Sequence, residues 1–146
     1  MKQLIVMIAM SVSILASAQD MAMVTPAELV ASGTYFETAP TDKKWGNTTT
    51  NRSTSAKFAR YDGITYVKLI SYKMQVEALL EYEVNLKGGK LEMIVVNEKD
   101  EVLWSRGFLE SGSGNMTVLL EPYEEYRVKF IGKGAKGSYD CKWKSL

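Results

Sequence analysis

The 146-residue chain has no histidine and a single cysteine, Cys141. Without histidine, the usual Ser-His and Cys-His catalytic pairs, the commonest zinc ligand and the usual proton shuttle near neutral pH are all missing. A lone cysteine excludes an internal disulfide, so stability rests on the core. Helical periodicity is nearly absent. No D-x-D-x-D-G spacing accompanies Asp62, Asp100 or Glu110, so calcium has no ready loop. The serines and glycines of 111–114 lack the Lys-Ser/Thr ending of a phosphate loop. Glu81 and Glu83 share a strand face, which reads as solvated acids rather than the cleft-flanking pair a glycosidase needs. No cofactor is expected, and the chain reads as a non-enzyme.

Charge of one sign is also missing. Residues 1–18 carry a basic start at Lys2, an apolar run from Leu4 to Leu15 and the small-residue pattern Ala16-Ser17-Ala18. This reads as a cleaved signal peptide, too short to span a bilayer, with a mature start at Gln19 and a secreted, extracytoplasmic destination. Without Lys2 the 18 basic residues become 17 against 17 acids, a net charge of zero. That balance gives no reason to expect nucleic acid as a partner, nor stable membrane insertion of the mature chain. The C-terminus is locally basic (Arg127, Lys129, Lys133, Lys136, Lys142, Lys144), which reads as a solvated strand face or a weak attraction to an anionic surface polymer.

What is present is a series of short alternating runs. Leu80 to Trp104, LEYEVNLKGGKLEMIVVNEKDEVLW, reads as three successive antiparallel strands. Gly88-Gly89 suits a type I′ turn, which sets Leu86 opposite Leu91, Val84 opposite Met93 and Tyr82 opposite Val95. The turn Asn97–Asp100 leads to a strand that runs on to Leu109. Gly33–Thr38 and Ile64–Tyr72 read as strands, with a turn at Asp62-Gly63 between Ala56–Tyr61 and Ile64. Turns are expected at 110–115, at 121–125 around Pro122, and as a hairpin loop over 132–137. Thr25-Pro26-Ala27-Glu28 suggests a helical turn within 21–30. In the last strand Tyr139, Cys141 and Trp143 alternate with polar residues, so Cys141 reads as a buried, inert thiol.

The pattern predicts an all-β chain, an antiparallel β-sandwich or jelly roll. Residues 19–55 are an N-terminal extension and polar loop with one or two strands, and 56–146 form the core of the same single domain. The polar stretch 39–55 contains one large apolar residue, Trp45. Tyr123 sits in a turn. Both are candidate ligand-stacking rings, and the structural alternative is that each plugs an end of the sandwich. Asn47, Asn51 and Asn115 begin N-x-S/T triplets.

The runs GKLEMIVVNEKDEVLW and LEPYEEYRVKFIGKGAKGSYDCKW resemble bacterial secreted β-sandwich domains of the pre-peptidase C-terminal type and uncharacterised domains of secreted proteins and lipoproteins. The resemblance covers about residues 56–144, with Glu125 where that pattern has glycine. It implies an accessory, noncatalytic extracellular module and transfers no binding residue. Two functions follow as expectations. One is an extracellular binding or adhesion module, for instance for cell-surface glycan. The other is a structural or interaction protein whose sheet edges meet a protein partner.

Overall fold

Among the described residues, β-branched and aromatic side chains in alternating runs make seven strands, all paired antiparallel. The computed structural model describes residues 28–146. The expected signal peptide of 1–18 lies outside these residues, as does most of the expected helical turn; Glu28 to Val30 already belong to the first strand. The strands are β1 (Glu28–Thr38), β2 (Gly46–Thr49), β3 (Ser53–Tyr72), β4 (Val76–Val96), β5 (Val102–Phe108), β6 (Gly112–Leu120) and β7 (Glu125–Ser145). Among the described residues no helix is long and apolar enough to cross a membrane.

Three strands of 20 or 21 residues, β3, β4 and β7, run through the middle of one hydrogen-bonded sheet. Each is creased near its centre, so the sheet folds over on itself. The proof lies within β7. The rings of Phe130 and Tyr139 stack face to face at 3.8 Å and 4°, whereas nine residues of straight strand would hold them about 30 Å apart. Buried positions also change parity across the crease. In β4, Val84 and Leu86 are buried, then Leu91 and Met93; in β3, Ala56 and Phe58, then Tyr61 and Val67; in β7, Val128 and Phe130, then Tyr139 and Cys141.

The result is the expected β-sandwich. One layer (layer A) orders β2, the first half of β3, the second half of β7, the first half of β4, then β6. The other (layer B) orders β1, the second half of β3, the first half of β7, the second half of β4, then β5. Their facing side chains form one apolar cluster. Tyr61 spans it: its hydroxyl donates to the Phe130 carbonyl at 2.7 Å and lies 3.0 Å from Thr65 Oγ1, which lies 3.0 Å from the Tyr139 hydroxyl. Burial raises the Tyr61 phenol to about 12 and the Tyr139 phenol further. Cys141 is fully buried, as its alternation predicts, and burial pushes its thiol up.

Several expected turns are absent. Gly88-Gly89 does not reverse the chain; β4 continues through it, and both halves pair with β7. Only Gly89 has positive φ, 74°. A type I′ turn needs two such residues; one gives a bulge. Leu86 and Leu91 therefore share the core without being partners: Leu86 pairs with Gly137 and Leu91 with Gly132 and Phe108. The expected loop at 132–137 is the crease of β7, and Asp62-Gly63 is a register shift inside β3. β6 begins at Gly112, inside the expected 110–115 turn. The polar stretch 39–55 contributes β2 and the start of β3. The turns at 97–100 and 121–125 are present, with Asp100 and Tyr123 at positive φ.

Candidate functional site

On the layer B half of β3, Thr65, Val67, Leu69 and Ser71 point into the sandwich. The alternate residues Ile64, Tyr66, Lys68, Ile70 and Tyr72 therefore line the outer face. β1 and β7 flank them. Tyr35 pairs with Tyr66, and the two rings stack at 5.5 Å and 22°. Lys68 Nζ lies 4.3 Å from the Tyr35 ring, and the Arg127 guanidinium 5.1 Å from the Tyr66 ring.

A chain of ion pairs crosses the same face. Arg127 Nε meets Glu125 at 2.8 Å, and Lys68 meets the other Glu125 oxygen at 3.5 Å. Lys129, only 14% exposed at its side chain, pairs with Glu37 and lies 3.9 Å from Asp100. Partial burial pushes the Glu125 carboxyl up, but the Arg127 hydrogen bond and the Lys68 and Arg127 charges outweigh it and hold it low. Glu125 thus stays ionised at neutral pH and is no proton donor. The face offers rings, fixed charges and hydrogen-bond groups.

At the far end of this face stands a second aromatic pair. Tyr72 and Tyr123 meet edge to face at 5.9 Å, with Tyr123 65% exposed. The Tyr123 amide donates to the Ser71 carbonyl at 2.8 Å, which fixes the turn. Six residues of β3 separate Tyr66 from Tyr72, so the two pairs stand about 20 Å apart along one strand. Tyr123 was singled out from the sequence; Tyr35, Tyr66 and Tyr72 were not. The signal was present in ITYVKLISY, where Tyr66 and Tyr72 share parity opposite Val67 and Leu69.

Trp45 sits elsewhere. It packs against the apolar cluster at the β1–β2 edge, with its ring centre 5.6 Å from Phe36 and 6.4 Å from Tyr61. Its Nε1 is buried and has no hydrogen-bond partner among the described residues. Glu81 and Glu83 are exposed on the outer face of layer A, opposite Lys142 and Asp140. Asp62 is held by the Gly134 amide at 2.7 Å and by Arg60. Among the described residues no group of three or more acids and cysteines is placed to hold a metal. Asn47 is tied by its amide to the Ser55 carbonyl at 2.9 Å, and its side-chain oxygen accepts from Thr34. A depression of 610 Å³ lies between Arg52, Glu81 and Lys142, but its ring, Trp143, is buried with Nε1 bound to the Asn51 carbonyl.

No protein-family model and no curated protein matches the chain. Solved structures similar to it include a family 35 carbohydrate binding module from Clostridium thermocellum (9% identity, 79% of this chain, 89% of that one, TM-score 0.44). Others are the module CBM6cm-2 of Cellvibrio mixtus lichenase 5A in complex with cellotriose (11%, 78%, 97%, 0.41) and the C-terminal CBM6 of LamC from Zobellia galactanivorans (12%, 80%, 98%, 0.41).

Proposed function

We propose that the chain is a noncatalytic extracellular binding or adhesion module that holds an extended cell-surface glycan along the outer face of layer B. The observation that carries this is the pair of aromatic clusters, Tyr35–Tyr66 and Tyr72–Tyr123, set at the two ends of one strand face. Tyr123 in particular offers an exposed ring on a fixed turn, and amphipathic rings suit a sugar's mixed surface. The likeness of the C-terminal pattern to pre-peptidase C-terminal-type domains supports an accessory role and secretion. Affinity electrophoresis against neutral glucans and cell-wall fractions tests it. The wild type is expected to be retarded, and Tyr72→Ala/Tyr123→Ala to run freely with an unchanged melting temperature. Unaltered retardation of the double variant overturns the assignment of the site.

One observation favours a second reading, a protein partner. β6 is a nine-residue edge strand, GSGNMTVLL, with no charge or proline to blunt it. Arg106 donates to the Ser113 carbonyl at 3.0 Å. Thr117→Lys should abolish capture of a protein that adds a strand there and leave glycan retention intact.

A further inference from the structure

The outer face of layer A holds a different kind of site at its crease end. A cleft of about 570 Å³ is lined by Lys44, Lys57, Lys87 and Lys136. They come from four separate segments: the β1–β2 connection, β3, β4 and β7. Among the described residues no carboxylate lines the cleft. All four lysines are exposed, and among the described residues no ion pair engages their ammonium groups. The acid next to Lys44, Asp42, stays ionised and offsets part of the Lys44 charge, so the excess rests mainly on Lys57, Lys87 and Lys136. The Asp42 oxygens accept from the Lys44, Ala59 and Arg60 amides at 2.9, 2.6 and 2.6 Å. On the other side the cleft ends at the facing acids Glu83 and Asp140.

Four like charges held around one concavity by a rigid sheet repel each other and focus a positive potential into it. An anion placed there relieves that repulsion. Asn85 and Ser138, also in the lining, supply hydrogen bonds suited to hydroxyl groups. Phe58 also lines the cleft but is only 5% exposed, with its ring packed on Tyr61 and Tyr139 in the core. It offers no face for a nucleobase to stack on, as single-stranded nucleic acids require. Among the described residues of the lining no exposed large apolar side chain stands ready to enter a lipid surface.

We propose that this cleft binds an anionic polysaccharide, one whose repeating units carry carboxylate or sulfate groups. The proposal rests on the glycan reading above and gives the ligand its charge. The test is titration of the full chain with polygalacturonate, a sulfated polysaccharide, a neutral glucan and a single-stranded oligonucleotide at two salt concentrations. One of the two acidic polysaccharides should bind, more weakly at higher salt. Lys57→Gln/Lys136→Gln should weaken that binding roughly tenfold or more, the scale for losing two charge-assisted contacts, with an unchanged melting temperature. Lys142→Gln/Lys144→Gln, outside the cleft, should leave it within about twofold. Equal losses in both double variants, oligonucleotide binding as tight as the polysaccharide's, or no binding of either acidic polymer would each overturn the proposal. Retention of neutral glucan that depends on Tyr72 and Tyr123 would then still stand. Conversely, cleft-dependent binding with intact retention in the tyrosine variant would sustain this proposal and remove the first site.

Discussion

The two ends of the sandwich turn their backbone by different means. At the crease the positive-φ residues are Gly89, Gly134 and Gly137; at the open end they are Lys73, Asp100 and Tyr123. Non-glycine residues rarely adopt this conformation, and a tyrosine there is strained. The contrast follows from space. A Cβ on Gly89 would fall on the Gly134 carbonyl, and one on Gly137 on the Asn85 carbonyl, because β4 and β7 approach backbone to backbone there. At the open end the turns are tied by their own hydrogen bonds, and two of them carry side chains that are put to use. Tyr123 meets Tyr72, and Asp100 reaches Lys129 and Arg127. The crease makes the fold, and the open end displays the groups that complete the tyrosine face.

The largest effect should come from placing a side chain at the crease. Gly89→Ala and Gly137→Ala each combine φ strain with a collision against backbone, and a loss of about 3 kcal/mol or more is expected. Denaturant midpoints read it, and failure to accumulate folded protein counts as the same outcome. A midpoint near wild type would mean that β4 and β7 do not cross so closely, and the two-layer account would fail with it.

That closeness also explains what was legible in the sequence. Which residues face the core was readable from period two: Leu80, Tyr82, Val84, Leu86, Leu91, Met93 and Val95 are all buried. Their partners were not. A parity change across Gly-Gly looks the same whether the chain reverses or folds a continuous strand over, and only long-range pairing with β7 separates the two. The polar stretch was illegible for another reason. Thr34, Asn47, Thr49 and Thr54 bond to one another where β1, β2 and β3 meet, and Thr54 is 1% exposed. Low hydrophobicity there marks a hydrogen-bonded junction between strands. The tyrosine face failed to register because its members come from three segments distant in sequence.

Trp45 lies beside that junction and should produce the next largest effect. Trp45→Ala removes a ring packed on Tyr61 and should cost about 2–4 kcal/mol. Trp45→Phe keeps a ring and deletes the unpartnered N–H, so it should cost less than half as much. A Trp45→Ala variant with unchanged stability and lost glycan retention would instead make Trp45 a ligand platform and shift the functional end toward the β1–β2 edge.

Alkaline pH probes the interior between the two ends. The Tyr61 phenol has an ordinary value of 10.0 and is raised to about 12, first by burial. The folded state therefore holds its proton where the unfolded chain has lost it. This stability is complete below pH 10 and is lost as pH rises towards 12, a fall on the order of 2–3 kcal/mol. Tyr139 adds to the loss in the same direction. Tyr61→Phe should flatten the slope of unfolding free energy over this window. A slope equal to wild type would show that Tyr61 is not the group responsible.

The smallest expected effect discriminates most finely, because it concerns two neighbouring glycines. Gly88 has no positive φ, is exposed, and a Cβ built on it meets nothing within 4 Å. In a reversing type I′ turn both central residues need positive φ, so valine at either position would be strongly destabilising. In a continuous creased strand the burden falls on Gly89 alone. Gly88→Val then places a β-branched residue in extended backbone and restricts the unfolded chain, two contributions that favour the folded state. Its stability should stay within about 0.5 kcal/mol of wild type, while Gly89→Val should fail as Gly89→Ala does. Equal and large losses at both positions would restore the hairpin, re-pair Leu86 with Leu91 and break the sheet into separate strands at that point. A silent Gly88 beside an intolerant Gly89 fits only a strand that passes through and bends.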